Sequence, residues 1–298
     1  MEGCRKGKEQ PGVARECIGP SAGAVEAGPT RNRQARVIGR ERELAVLRGL
    51  LDEVVETEIP RLAMVYGPAG VGKSRLVREA VAIAVSERTD LQVLRGRCPA
   101  IGPGVTYWPL AEIVRAACGI SLDDRGPEAQ TKLRDGASEL LRAAGMSHSE
   151  TESTIFALAT TAGITLPDNP LDRSRPIAVV TELARRWPQF LSAFASARPI
   201  AVVIEDLHWA SDQVLEMVER LVSRTTGPML LVVTARPEFA EEHSAFAAGL
   251  AEAATVSLRP LTKAQSGDLL AGLLPAHDLP AAIQDQILDT AEGNPLFV

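Results

Sequence analysis

Apolar positions along the 298-residue chain follow two different periods. From Glu41 to Glu56, Leu44, Leu47, Leu51 and Val54 recur at helical spacing with charges on the other face, which predicts an amphipathic surface helix. After Pro60 the period is lost. Leu62-Ala63-Met64-Val65-Tyr66 is an unbroken apolar run closed by glycine, the pattern of a strand covered on both faces. Comparable runs at Leu91–Gly96, Ile200–Ile204, Met229–Thr234 and Ala254–Leu258 predict four more strands, and Ser74–Val85 reads as the helix after the first. Strands separated by helical stretches imply crossover units and a parallel sheet with helices on both faces.

About a hundred residues separate the second and third strands, far more than a loop would hold. Helical patterns near 109–118, 128–144, 151–163 and 176–197 make this stretch a helical insertion, with Pro188 expected to bend or break the last helix. Tyr107 and Trp108 read as core of that insertion, and His208 and Trp209 as packing residues after the third strand. Beyond the fifth strand, Thr262-Lys263-Ala264-Gln265 fits the capping box that opens a helix, and a further helix follows from Ala281 to Ala291. Residues 1–36, rich in glycine and proline without apolar periodicity, read as a disordered tail. The expected fold class is therefore α/β, a parallel sheet of five strands flanked by helices.

Composition adds mainly exclusions. The apolar fraction is 45% and the charged fraction 23%, ordinary for a globular chain, and mean hydropathy is +0.02. No apolar run reaches the length of a membrane span and the N-terminus lacks a signal-peptide core, so a cytoplasmic location without membrane contact is expected. Cys4, Cys17, Cys98 and Cys118 form no C-x-x-C pair, so reduced thiols are expected rather than a disulfide framework or zinc site. A net charge of −6 argues against direct nucleic-acid contact.

The chemistry begins at Gly67-Pro68-Ala69-Gly70-Val71-Gly72-Lys73-Ser74, which satisfies G-x-x-x-x-G-K-[ST] between a predicted strand and a predicted helix. Glycines let successive N–H groups turn toward phosphate oxygens, and the helix N-terminus adds partial positive charge. Lys73 is expected on the β- and γ-phosphates, and the Ser74 hydroxyl on Mg²⁺. The third strand runs directly into Glu205-Asp206, at the strand ends where ligands of such sheets bind. One acid would hold Mg²⁺ and the other would orient or deprotonate water; Glu205 as ligand and Asp206 as base is the favoured order, the reverse staying open. Arg236, closing the fourth strand, is placed to report the γ-phosphate, or else is a solvated charge before a turn.

The ordered segments VIGRERELAVL, GPAGVGKSRLVRE, LRGRCPAIGPGVTYWPLAEIVR, VVIEDLHWAS, LLVVTARPEF and AEGNPLFV resemble the ATPase domain of signal-transduction ATPases, a branch of the AAA+-like P-loop proteins. The nearest likeness is to modules beside bacterial class III cyclase domains or LuxR-type DNA-binding domains. By that resemblance Val37, Ile38, Gly39 and Arg40 would line an adenine pocket, and Arg75 would join the nucleotide-binding set beside the Walker A segment Gly67–Ser74. Glu205 and Asp206 would be Walker B and Arg236 a sensor, with Asn294 and Pro295 on a lid helix. Ser211 stands where the group usually carries aspartate, Asp212 following. The resemblance implies a nucleotide-binding domain over 37–258 and a partial lid over 259–298. It implies binding of ATP or ADP with Mg²⁺, slow hydrolysis used as a regulatory switch, and self-association or an effector-domain partner. A nucleotide-locked scaffold and a P-loop small-molecule kinase are the alternatives.

Overall fold

A computed structural model describes residues 37–100, 107–274 and 280–298. The expected tail at 1–36, with Cys4 and Cys17, lies outside the described residues. In chain order the elements are α1 (Glu41–Thr57), β1 (Arg61–Tyr66), α2 (Lys73–Glu87), β2 (Gln92–Arg97), α3 (Trp108–Ala117), α4 (Gly126–Ala143), α5 (His148–Ala162) and α6 (Pro176–Ala197). There follow β3 (Ile200–Glu205), α7 (Asp212–Arg224), β4 (Met229–Ala235), α8 (Pro237–Glu242), β5 (Ala253–Ser257), α9 (Lys263–Leu273) and α10 (Ala281–Ala291).

The strands form one parallel five-stranded sheet in the order β2-β3-β4-β1-β5. Successive strand side chains point to opposite faces, and the sheet divides its residues between two cores accordingly. Ala63, Val65, Ala201, Val203, Leu230 and Val232 pack with Leu47, Leu51 and Val54 of α1 and Leu76, Val77 and Val81 of α2. Leu62, Ile200, Val202, Ile204, Leu231 and Val233 face the insertion helices α3–α6 and α7 on the other side. Burial on both faces explains why the runs at β3 and β4 read as continuous rather than alternating.

The insertion is helical, as its periodicity predicts, but α6 neither breaks nor ends at Pro188. Trp187, Phe190 and Phe194 form an edge-to-face ladder with ring centroids 5.7 and 5.1 Å apart inside the core. Burying three such rings at about 1.5–3 kcal/mol each outweighs the roughly 3 kcal/mol that an interior proline costs. Trp108 is not core, being 39% exposed, and its indole N–H donates to Glu112 at 2.9 Å. Its place at the first residue of α3, on the solvent side of the turn, is what the periodicity could not register.

At the C-terminal end the Thr262–Gln265 capping box is present. α9 and α10 are joined by Lys263, whose ammonium pairs with Asp289 at 2.7 Å. Their burial is slight, with Ser266 and Leu270 the buried positions of α9 and Ala291 that of α10. Among the described residues no helix is long and apolar enough to cross a membrane, and Cys98 and Cys118 are unpaired.

Candidate nucleotide site

The turn from β1 into α2 is built from backbone that only glycine adopts cheaply. Gly70 and Gly72 have φ of +79° and +99°, and Gly72 immediately precedes the first residue of α2. That turn presents the unpaired N–H groups of the helix start to the space above the sheet, a ready anion site. Lys73 is only 8% exposed, and its ammonium donates to the carbonyls of Gly67 at 2.7 Å and Pro68 at 3.0 Å. Burial pulls its pKa below the ordinary lysine value; the Asp206 charge works the other way and Arg236 reinforces the drop.

Strand order brings the acids to this turn. β4 lies between β1 and β3, so the end of β3 stands one strand from the glycine loop. The Ser74 hydroxyl donates to Glu205 Oε2 at 2.6 Å across that gap. Asp206 leaves the strand in the left-handed region, φ +59°, and its carboxylate takes a different partner from that of Glu205. Its N–H donates to the buried Thr234 hydroxyl at 3.0 Å. The Asp206 carboxylate accepts from Arg97 Nε at 2.8 Å and pairs with Nη2 at 2.6 Å, and this partnership raises the Arg97 pKa. Arg236 is exposed, its guanidinium 5.4 Å above the Trp209 ring, which is itself 47% exposed rather than packed away. His208 is partly buried with neither ring nitrogen partnered; burial first, then the Arg236 charge, hold its pKa below the usual histidine value.

A cavity of about 340 Å³ opens on the other side of the glycine loop. Val37, Ile38, Arg40, Gly70, Val71, Gly72, Arg75 and Pro295 of the predicted set all line it. Gly39 does not; its positive φ of +67° turns the chain against the Gln265 side chain. Arg40 is 7% exposed and donates to the Arg259 carbonyl at 2.7 Å, so it holds the wall as well as lining it. Asn294 reaches the loop itself, donating from Nδ2 to the Ala69 carbonyl at 3.0 Å. Gly293 accepts from the Leu261 N–H at 2.7 Å, which ties the end of α10 to the start of α9.

Sequence reasoning missed Thr234 and Arg97. Thr234 reads as one more β-branched strand residue, and Arg97 faces Glu205 only because β2 pairs with β3. A hydroxyl in an otherwise aliphatic buried strand was the available signal for the first. No local signal marked the second.

A family model describing the AAA ATPase domain matches residues 36–233. The chain belongs to this AAA ATPase family. An uncharacterised Rhizobium meliloti (strain 1021) protein is 28% identical over 269 residues, which are 88% of this chain and 24% of that one. The chain thus spans about a quarter of that relative's length. Among solved structures, Cdc6p of Pyrobaculum aerophilum superposes with a TM-score of 0.51 at 15% identity, over 88% of this chain and 59% of its own. Drosophila ORC bound to DNA superposes with a TM-score of 0.53 at 10% identity, over 99% of this chain and 62% of its own. At such identities these likenesses speak for the fold. As an AAA ATPase domain, the chain has the α/β P-loop architecture that its sequence predicts.

Proposed function

We propose that the chain binds ATP with Mg²⁺ and hydrolyses it as the regulatory switch module of a signal-transduction ATPase. The observation that carries this reading is the 2.6 Å bond between the Ser74 hydroxyl and Glu205, which joins the phosphate loop to the acidic strand end. Both partners are hard oxygen donors of the kind Mg²⁺ takes, and that ion needs one or two protein oxygens beside substrate phosphates. Ser74 and Glu205 would hold it. When bound, Mg²⁺ would neutralise charge on the transferring phosphoryl group. ATP itself would lie with its phosphates on Gly67–Ser74 and its base in the cavity of Val37, Ile38 and Pro295, ADP occupying the same place after turnover.

Lys73 then exchanges its two carbonyl acceptors for phosphate oxygens, a favourable move for a cation held in a desolvated place. Asp206 orients or deprotonates the attacking water, its backbone fixed by Thr234. Arg236 swings from Trp209 toward the γ-phosphate. Residues 37–258 act as the nucleotide-binding unit and 259–298 as a partial lid, with Asn294 sensing the loop through Ala69. The output passes to a second copy or an effector domain in the cytoplasm. The net charge of −6 supports a segment that does not itself touch nucleic acid, whatever the DNA-bound ORC neighbour does.

A non-hydrolysing scaffold is the second reading, and one observation favours it: two Arg97 N–H groups occupy one oxygen of the Asp206 carboxylate. Lys73→Ala tests what the readings share. It should abolish Mg²⁺-dependent binding of labelled ATP, and tight binding by this variant would show the loop to be misread.

A further inference from the structure

A groove larger than the cavity beside the glycine loop lies between α3 and α5. It has a volume of about 600 Å³, within the range of small-molecule sites. Tyr107, Trp108, Ala111, Ile120 and Leu122 give it apolar walls, with Trp108 39% and Leu122 81% exposed. Apolar side chains left open to water around a concavity mark a binding surface.

Two charged side chains enter this wall, and they are not equivalent. Both oxygens of Glu112 are engaged, Oε1 by the Trp108 indole N–H at 2.9 Å and Oε2 by the Arg97 backbone N–H at 2.7 Å. Arg115 donates from Nη2 to the Ala162 carbonyl at 3.0 Å, and among the described residues no carboxylate pairs with it. Half-buried Arg115 gives the groove a cationic edge, beside the polar side chains of Glu112, Thr160 and Thr161. A wholly apolar occupant would strip water from this cation and return nothing. A phosphate dianion asks for several donors, and one half-engaged guanidinium does not supply them. A planar carboxylate matches the fork that Arg115 has left.

We infer that this groove binds a small apolar carboxylate, its hydrocarbon or aromatic body against Trp108 and Ile120 and its carboxylate on Arg115. The site stands independently of the ATPase reading. Glu112 also gives it a neighbour in that chemistry, because the same side chain that braces Trp108 holds the backbone of Arg97, the partner of Asp206.

Calorimetric titration of the whole chain, without nucleotide, with 4-phenylbutyrate and 4-phenylbutan-1-ol tests the inference, since the two probes share one body and differ in charge. The acid should bind about tenfold more tightly than the alcohol, the size of one charge-assisted hydrogen bond. Arg115→Met should bring the two affinities together while keeping alcohol binding, and Arg115→Lys should restore part of the preference. Circular dichroism would show both variants folded. Equal affinities in the unaltered protein, binding of neither probe, or a preference that survives Arg115→Met would overturn it.

Discussion

Thr234→Val removes one oxygen from the site while keeping the shape and branching of a fully buried strand residue. The Asp206 N–H, which donates to that oxygen at 3.0 Å, is left without its partner. Stranding a part-buried backbone donor costs about 1–2 kcal/mol. The same bond helps hold Asp206 at φ +59°, a conformation that itself costs a non-glycine residue roughly 1–2 kcal/mol. Without the bond Asp206 relaxes toward extended backbone, and its carboxylate leaves the place from which it would act on water. An energy of that size corresponds to about fivefold to thirtyfold fewer molecules with Asp206 in position. Single-turnover phosphate release should therefore fall by about that factor, with ATP affinity within about twofold of normal, since the phosphate loop is untouched. The melting temperature should drop by a few degrees, at about 2–4 °C per kcal/mol for a domain of this size. Thr234→Ser, which restores the oxygen, should recover the rate. Normal phosphate release by Thr234→Val, alongside the loss of stability, would refute the claim that this bond positions Asp206.

Two further predictions follow from single contacts. Arg97→Ala removes a largely solvated partner of Asp206, so stability should change by less than about 1 kcal/mol; phosphate release should nonetheless rise severalfold as the carboxylate is freed, and an unchanged rate would mean the pair has no role in turnover. Burial pushes the Cys98 thiol up to about 12 from 9.0, so the folded state resists its ionisation. The stability this represents is complete below pH 9.0 and is lost as pH rises toward 12, because the unfolded chain releases the proton first. Denaturation of Cys98→Ala should show a shallower alkaline decline than the unaltered protein, and parallel declines would count against that burial.

The sheet, the insertion and the phosphate loop were legible because each rests on a local pattern. β3 and β4 are aliphatic along their length, the insertion helices repeat at helical spacing, and Gly70 and Gly72 stand where the turn needs positive φ. Strand order was not legible. Strands buried on both faces look alike in sequence, so nothing local places β4 between β1 and β3 or Arg97 beside Asp206. Gly96 shows the same limit: a Cβ there would stand 2.0 Å from the Pro109 carbonyl oxygen, a closeness between β2 and α3 that no spacing announces. The sequence reads Trp108 as core and Trp209 as a packing residue after β3; Trp108 instead lies at the surface and donates to Glu112, while Trp209 packs beneath Arg236. Pro188, expected to bend or break α6, does not break it: the helix runs on to Ala197, where tertiary packing outweighs the local cost of the proline.

The central claim, that the acids at the end of β3 work on ATP held by the glycine loop, is tested most directly by single-turnover phosphate release from Mg²⁺-ATP. Glu205→Gln keeps an acceptor for the Ser74 hydroxyl and Asp206→Asn keeps the backbone bond to Thr234, so both variants should fold and bind nucleotide. Each should release phosphate at least about a hundredfold more slowly than the unaltered chain, the scale of a lost acid–base or metal-holding group. Release that is absent from the unaltered chain with ATP bound, or equal in all three proteins, would contradict the account.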